Sequence, residues 1–266
     1  MVKIFIDPGH GGTDPGAVGN GLKEKDLTLA ISKRIETILK NEYENADVKL
    51  SRTGDQSLTL TQRTNMANAW KADYLLSVHI NAGGGIGFES FIYNGTYKSK
   101  PATNNKRNVI HDEIIKATGF TNRGKKEANY HMVRESNMQG CLTESGFIDN
   151  AKDAALLKQS SFLDKIARGH AVGLEKALGL KKKAVSKPPT NTSTPPTVTT
   201  TGTFLIRVKA KELWYYNKPD WNAKKATVKK GEVFTVVDTL TVNGSKMYKL
   251  KSGNYMTANP QYVEKI

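Results

Sequence analysis

The chain has one cysteine, Cys141, in 266 residues. A lone thiol excludes an internal disulfide and any cysteine-rich zinc site. Its neighbours, QGCLTES, read as a buried strand, which favours a packed thiol over a nucleophile. No apolar run approaches the roughly 18–20 residues needed to cross a bilayer. A secretory signal pattern is also missing, because MVKIFID reaches Asp7 before any apolar core builds up. The expectation is a protein made in the cytoplasm without a Sec address. Acidic residues are scarce, 25 against 40 Lys and Arg, for a net charge of +15. From Lys181 onward the balance is 16 basic to 5 acidic residues, or +11, which leaves +4 for residues 1–180. The basic third should therefore meet something anionic. Nothing in it resembles an RNA-recognition or oligonucleotide-barrel motif, so nucleic acid is not the expected partner.

What is present divides into two parts. Residues 181–202, KKKAVSKPPTNTSTPPTVTTTG, hold almost no large apolar residue and cannot bury enough surface to offset ordering entropy. Two Pro-Pro pairs favour extended geometry, so this stretch reads as a semi-stiff linker between residues 1–180 and 203–266. In residues 1–180 strand and helix signals alternate. VKIFI (2–6), DVKLSR (47–52), YLLSVHI (74–80), GFESFIY (87–93) and GCLTESGF (140–147) read as strands. Helical spacing covers 27–39, 59–71, 106–118, 150–159 and 162–178. Such alternation predicts an α/β domain, a twisted, mostly parallel sheet flanked by helices. Functional groups in such sheets gather beyond the C-terminal strand ends.

That rule collects four polar residues. His10 follows the first strand in DPGHGGTDPGAVG, Glu24 stands in the loop leading to the first helix, His79 ends the 74–80 strand, and Glu144 lies late in the 140–147 strand. Two imidazoles and a carboxylate are sufficient for catalytic zinc, which takes three protein ligands and an open position. Glycines beside His10 would let backbone crowd the ion, and a second carboxylate is then needed to move the proton. On the residues alone the bland readings stand beside this one. His10 could bridge a turn, His79 could be a satisfied core histidine, and the glutamates could be surface charges. GHGG lacks the Lys-Ser/Thr of a P-loop. Asn81 shares the face of His79 and is a candidate substrate contact or a structural hydrogen bond. Arg52 and Arg63 read as ion-pair or loop-anchoring residues, His111 and His170 as non-catalytic, and His131 or Arg134 as a candidate cleft residue.

The segments DPGHGGTDPGAVG, LKEKDLTLAI, SRTGD, QRTNMANAWKADYLLSVHINA and TESGFIDNAKDAALL together resemble the zinc-dependent N-acetylmuramoyl-L-alanine amidases of the amidase-3 class. The resemblance covers nearly all of residues 1–178. It implies that His10, Glu24 and His79 bind Zn2+, that Glu144 is the catalytic acid/base, and that peptidoglycan is the substrate. The implied reaction is hydrolysis of the amide between N-acetylmuramic acid and L-alanine.

Residues 203–266 alternate in short strands punctuated by Gly231, Gly244 and Gly253, which predicts a small all-β barrel or sandwich. KATVKKGEVFTVVD and MYKLKSGNYMTANPQYVEKI resemble, more loosely, bacterial SH3-type wall-binding domains. Of Trp214, Tyr215, Tyr216 and Trp221, some must fill the core and others could stack on sugar or peptide. The lysines suit an anionic wall polymer. A hydrolase tethered to a binding module, without a signal sequence, suggests a phage or prophage endolysin acting on the wall after release, and a monomer. A sporulation or mother-cell autolysin, a non-catalytic wall-binding protein, and a zinc endopeptidase or deacetylase are the competing readings.

Overall fold

VKIFI becomes the heart of β1 (Val2–Pro8), with Ile4, Phe5 and Ile6 fully buried. A strand covered by helices on both faces must be apolar on both. The computed structural model describes residues 1–183, 203–221, 223–242 and 245–266. After β1 the chain runs through β2 (Val18–Gly19), β3 (Leu22–Lys23), α1 (Glu24–Glu42), β4 (Ala46–Leu50), α2 (Leu60–Ala69), β5 (Tyr74–Asn81) and β6 (Phe88–Tyr93). It continues through α3 (Lys100–Thr118), β7 (Asn122–Ala128), α4 (His131–Arg134), β8 (Gln139–Phe147), α5 (Ala151–Leu157) and α6 (Ser160–Leu178). The sheet order is β4-β1-β5-β8-β6-β7. β4, β1, β5 and β8 are mutually parallel. β6 runs antiparallel to β8 and parallel to β7. This is the mostly parallel, helix-flanked sheet expected from the sequence.

The period-2 alternation of the strands sorts side chains between two faces. Ile4, Ile6, Leu76 and Val78 join one core with Ile31 and Ile35 of α1, Ile110 of α3 and Ile166 of α6. Phe5 and Leu75 turn the other way and pack with Ala67 of α2 and Met132 of α4. On α1, Leu27, Ile31, Ile35 and Leu39 recur every four residues and are all buried. Each is worth about 1.5–3 kcal/mol of burial, and Ile35→Ala would cost about 2–5 kcal/mol. α2 is fixed at its start by a capping box: Gln62 N–H donates to Thr59 Oγ1 at 3.1 Å, and Thr59 N–H donates to Gln62 Oε1 at 2.8 Å. Cys141 is fully buried in β8, and burial pushes its thiol up to about 11, as suits a packing residue.

Three elements differ from the sequence expectation. β7, NRGKKEA, carries no apolar periodicity, and its residues alternate exposed and half-buried. It is a sheet edge, where lysines discourage further pairing. α3 starts at Lys100 rather than near 106, with Pro101 in its first turn, where a missing N–H costs nothing. α1 begins at Glu24 itself, so Glu24 is a helix-start residue and not a loop residue. A carboxylate there is favoured by the positive end of the helix dipole.

The chain folds as two compact units, Met1–Lys187 and Pro188–Ile266. The first still holds chain past residue 180: Glu44 N–H donates to Lys181 O at 2.9 Å and Lys183 N–H to Glu42 O at 2.8 Å. The expected linker lies, from residue 184 on, outside the described residues. The second unit is all-β, with β9 (Phe204–Val208), β10 (Glu212–Tyr216), β11 (Lys224–Lys229), β12 (Val233–Val242), β13 (Ser245–Leu250), β14 (Tyr255–Thr257) and β15 (Val263–Lys265). The sheet order is β11-β10-β14-β13-β12-β9-β15, with antiparallel pairings. Its core is Ile206, Val208, Val228, Val236, Leu250, Met256 and Val263.

Candidate active site

The loop after β1 is held by two buried guanidinium groups. Arg63 donates to Asp7 Oδ1 at 2.9 Å, Pro8 O at 2.7 Å and His10 O at 2.6 Å. Arg52 donates to Pro8 O at 3.1 Å and Gly9 O at 2.8 Å, and reaches Lys25 O and Thr28 Oγ1 on α1. Asp7 is the ion-pair partner of Arg63 and also accepts from Ser51 and Ser77. This grip explains how His10 keeps φ at +59°. The left-handed region costs a non-glycine residue roughly 1–2 kcal/mol, so surrounding contacts must impose it. A Cβ on Gly9 would stand 2.3 Å from the His79 ring, and one on Gly16 would stand 2.6 Å from Glu24 Oε2 and 2.7 Å from the His10 ring. Only glycine lets these rings and the carboxylate close up.

They converge on one carboxylate oxygen. His10 Nε2 lies 3.1 Å and His79 Nδ1 3.0 Å from Glu24 Oε1. The three ligand atoms fall within 4.8 Å of one another. Zinc bonds of about 2.0–2.2 Å in a tetrahedron separate neighbouring ligand atoms by about 3.3–3.5 Å, so the set fits such an ion. The outer contacts are those a metal site uses to orient its ligands. Asp14 Oδ2 accepts from His10 Nδ1–H at 2.8 Å, which fixes the ring with Nε2 turned toward Glu24. Ala17 N–H donates to Glu24 Oε2 at 2.8 Å and Ile80 N–H to Oε1 at 3.0 Å. Burial alone would raise the Glu24 carboxyl, but hydrogen bonds and charge from His10 and His79 hold it far below the usual range. For His10, burial is outweighed by Glu24 and Asp14, and its pKa rises.

Glu144 stands beside this cluster. β5 and β8 pair His79 with Glu144, and β8 and β6 pair Glu144 with Glu89. The three side chains thus form a row on the sheet face that α2 and α4 cover. Glu144 Oε2 is buried without a hydrogen-bond partner among the described residues. Burial, and then the charges of Glu24 and Glu89, push its carboxyl well above the usual range. A buried carboxyl with a raised pKa and an oxygen that no described residue engages is equipped for acid/base work. Glu89, absent from the sequence-predicted set, is 5% exposed and accepts from Arg123 Nε at 2.9 Å and Lys126 Nζ at 2.5 Å. Its signal was a charged residue inside the apolar run GFESFIY. Asn81, a candidate substrate contact or structural hydrogen bond, donates Nδ2 to Glu89 Oε1 at 2.7 Å and accepts from Ala82 N–H at 2.8 Å. In this structure its amide serves the protein's own carboxylate.

The other candidates sit apart from the cluster. His111 bonds to Ser90 and Asn122. His170 donates to Ile166 O at 2.8 Å and accepts from Thr143 at 3.0 Å. His131 meets Thr64 at 3.3 Å, and Arg134 lines a separate cavity with Tyr93 and Tyr97. The cavity at the cluster is lined by His10, Asp14, His79, Leu58, Leu60 and Arg63.

Residues 4–176 match the family described as N-acetylmuramoyl-L-alanine amidase. The chain belongs to that family. The amidase is 47% identical to the endolysin of Bacillus phage SPP1 over 98% of its own length and 97% of the relative's. It is 58% identical to the sporulation-specific N-acetylmuramoyl-L-alanine amidase of Bacillus subtilis, over 70% of this chain and 72% of that one. The catalytic domain of an amidase from Bacillus (Paenibacillus) polymyxa superposes with a TM-score of 0.64 at 35% identity, covering 68% of this chain and all of that one. Residues 199–263 match a family described as a domain of unknown function. In the described part of that unit Trp214 is 43% exposed, Tyr216 is buried, and Trp221 donates Nε1–H to Val242 O at 2.9 Å. No helix among the described residues is long and apolar enough to cross a membrane.

Proposed function

We propose that the amidase cleaves the bond between the lactyl group of N-acetylmuramic acid and L-alanine with zinc held by His10, Glu24 and His79, and with Glu144 as general acid and base. One observation carries this reading: His10 Nε2 and His79 Nδ1 both lie within 3.1 Å of Glu24 Oε1, one strand from a buried Glu144 oxygen that has no partner among the described residues. A bound zinc ion supplies Lewis acidity and a water acidified to a pKa of about 7. The chain's own residues do the rest. Asp14 keeps the His10 ring in the tautomer that presents Nε2. Glu144 takes a proton from the attacking water and delivers it to the departing nitrogen, which leaves poorly unless protonated. Arg52 and Arg63 keep the His10 loop in place while this happens.

The biological reading is an endolysin. The phage relative runs the length of both units, whereas the sporulation relative matches 70% of the chain. The C-terminal unit then serves as the wall anchor, with its surplus of lysines facing an anionic polymer and the exposed Trp214 ring available for stacking. Tethering to an insoluble substrate raises local enzyme concentration. Mass spectrometry of digested peptidoglycan tests the cleavage. Free stem peptides beginning with L-alanine, together with unsubstituted muramic acid, are expected. Products that keep the muramoyl–alanine bond would assign the protein to another hydrolase class.

A further inference from the structure

Arg123 occupies the strand edge beyond the Glu144–Glu89 row, and the mechanism above leaves it unused. Two contacts immobilise it. Its Nε donates to Glu89 at 2.9 Å, and its guanidinium lies 4.6 Å from the centre of the Phe147 ring. Glu89 is itself buried and anchored by Asn81. Burial would raise the Glu89 carboxyl, but Lys126 and Arg123 hold it low, so it stays an anion fit to anchor a cation. Among the described residues no acceptor meets the two Nη groups of Arg123, and the side chain is 33% exposed. Lys126 ends beside it, its ammonium on the same Glu89 oxygen and 40% exposed. Two cations thus share one buried carboxylate, which leaves net positive charge and a free guanidinium edge. That edge matches a carboxylate in bidentate geometry.

We infer that Arg123, supported by Lys126, binds a carboxylate of the stem peptide on the leaving-group side of the scissile bond. This rests on the amidase reading and adds substrate polarity to it. The order along the sheet edge is the His10/His79 cluster, then Glu144, then Glu89 with Arg123. The acyl group being attacked belongs at the cluster, so the amine that Glu144 protonates departs toward Arg123. One strand spacing is about 4.8 Å, and an extended residue spans about 3.5 Å. The nearest free carboxylate in reach is therefore that of the residue following L-alanine, a γ-linked glutamate whose α-carboxylate is free or amidated. The rim on this side is completed by Tyr130, 41% exposed and packed edge-on against Phe91.

The test uses the full chain and two soluble muramoyl tripeptides that differ only in that α-carboxylate, free in one and amidated in the other. The wild type is expected to favour the free acid by roughly 10- to 100-fold in kcat/KM, the worth of a hydrogen-bonded charge pair. Arg123→Gln should bring the free acid down to the amide's rate and leave the amide's rate in place, and Arg123→Lys should recover part of the preference. The ratio is measured on one preparation, so partial misfolding cannot imitate the effect. Lys126→Gln, which leaves the Glu89–Arg123 pair, should reduce the ratio less. Equal rates on the two substrates in the wild type, or an undiminished ratio in Arg123→Gln, overturn the inference while leaving the amidase intact. Failure to release L-alanyl peptide from either substrate would instead overturn the amidase reading.

Discussion

In the amidase unit Asp7, Glu24, Arg52, Arg63 and Glu89 are each no more than 5% exposed, whereas the C-terminal unit buries no polar or charged side chain among its described residues. Its interior is Ile206, Val236, Met247 and their apolar neighbours, and its lysines stay outside. Burying charge is costly, and a hydrophobic replacement of a buried ion pair is often as stable. A fold keeps such groups where geometry has to be imposed. Here they impose the left-handed turn at His10 and the row Glu144–Glu89. The contrast separates a unit that spends buried charge on geometry from one that packs apolar side chains alone.

The largest effect is expected from Glu144→Gln. It should lower kcat by about 10³-fold and leave binding of the full chain to purified walls unchanged. Loss of wall binding in that variant would mean that the units are not separable. Next is Arg63→Met, which strands Asp7 as a buried charge. The expected cost is about 3–5 kcal/mol, read by calorimetry as a lower Tm for the amidase unit with the C-terminal transition unmoved. An equal shift of both transitions would show the two units to be one cooperative body.

Acid should separate the units as well, because all five histidines lie before residue 180. His170 is fully buried, and burial lowers it to about 4 from 6.5. Its neutral form belongs to the folded state, so its contribution is complete above pH 6.5 and is lost as pH falls toward 4. The two limits differ by about 3 kcal/mol. Thermal melts of wild type and His170→Gln across pH 7 to 4 should show the variant's amidase transition falling less steeply, with the C-terminal transition indifferent. Parallel slopes in the two proteins would mean that His170 has no part in the acid response. The smallest effect is expected from Trp214→Ala. It should weaken wall binding by roughly 2- to 10-fold without changing the rate on a soluble muramoyl peptide.

How much of this was legible depended on periodicity. β1, β5 and β8 announce themselves as apolar runs, and the parallel-sheet rule then gathers His10, His79 and Glu144 at one edge. β7 could not be read, because an edge strand whose one apolar side chain is Ala128 needs no apolar pattern. With β7 unread, Arg123 had no address and Glu89 no partner. The start of α1 was blurred because Lys23 gives no side-chain cap, so Glu24 fell one turn early into the loop. The Asp14 contact at four residues from His10 depends on the turn closed by Gly11 and Asp14, which pair through backbone bonds of 2.9 and 3.2 Å.

The proposed chemistry depends on His10, Glu24 and His79 gripping a single zinc ion. Elemental analysis of purified protein is the most direct measurement. About one zinc per chain is expected in the wild type and in Glu144→Gln, and almost none in His79→Ala. Full zinc occupancy in His79→Ala, or none in the wild type even when refolded with the metal, would contradict this ligand set.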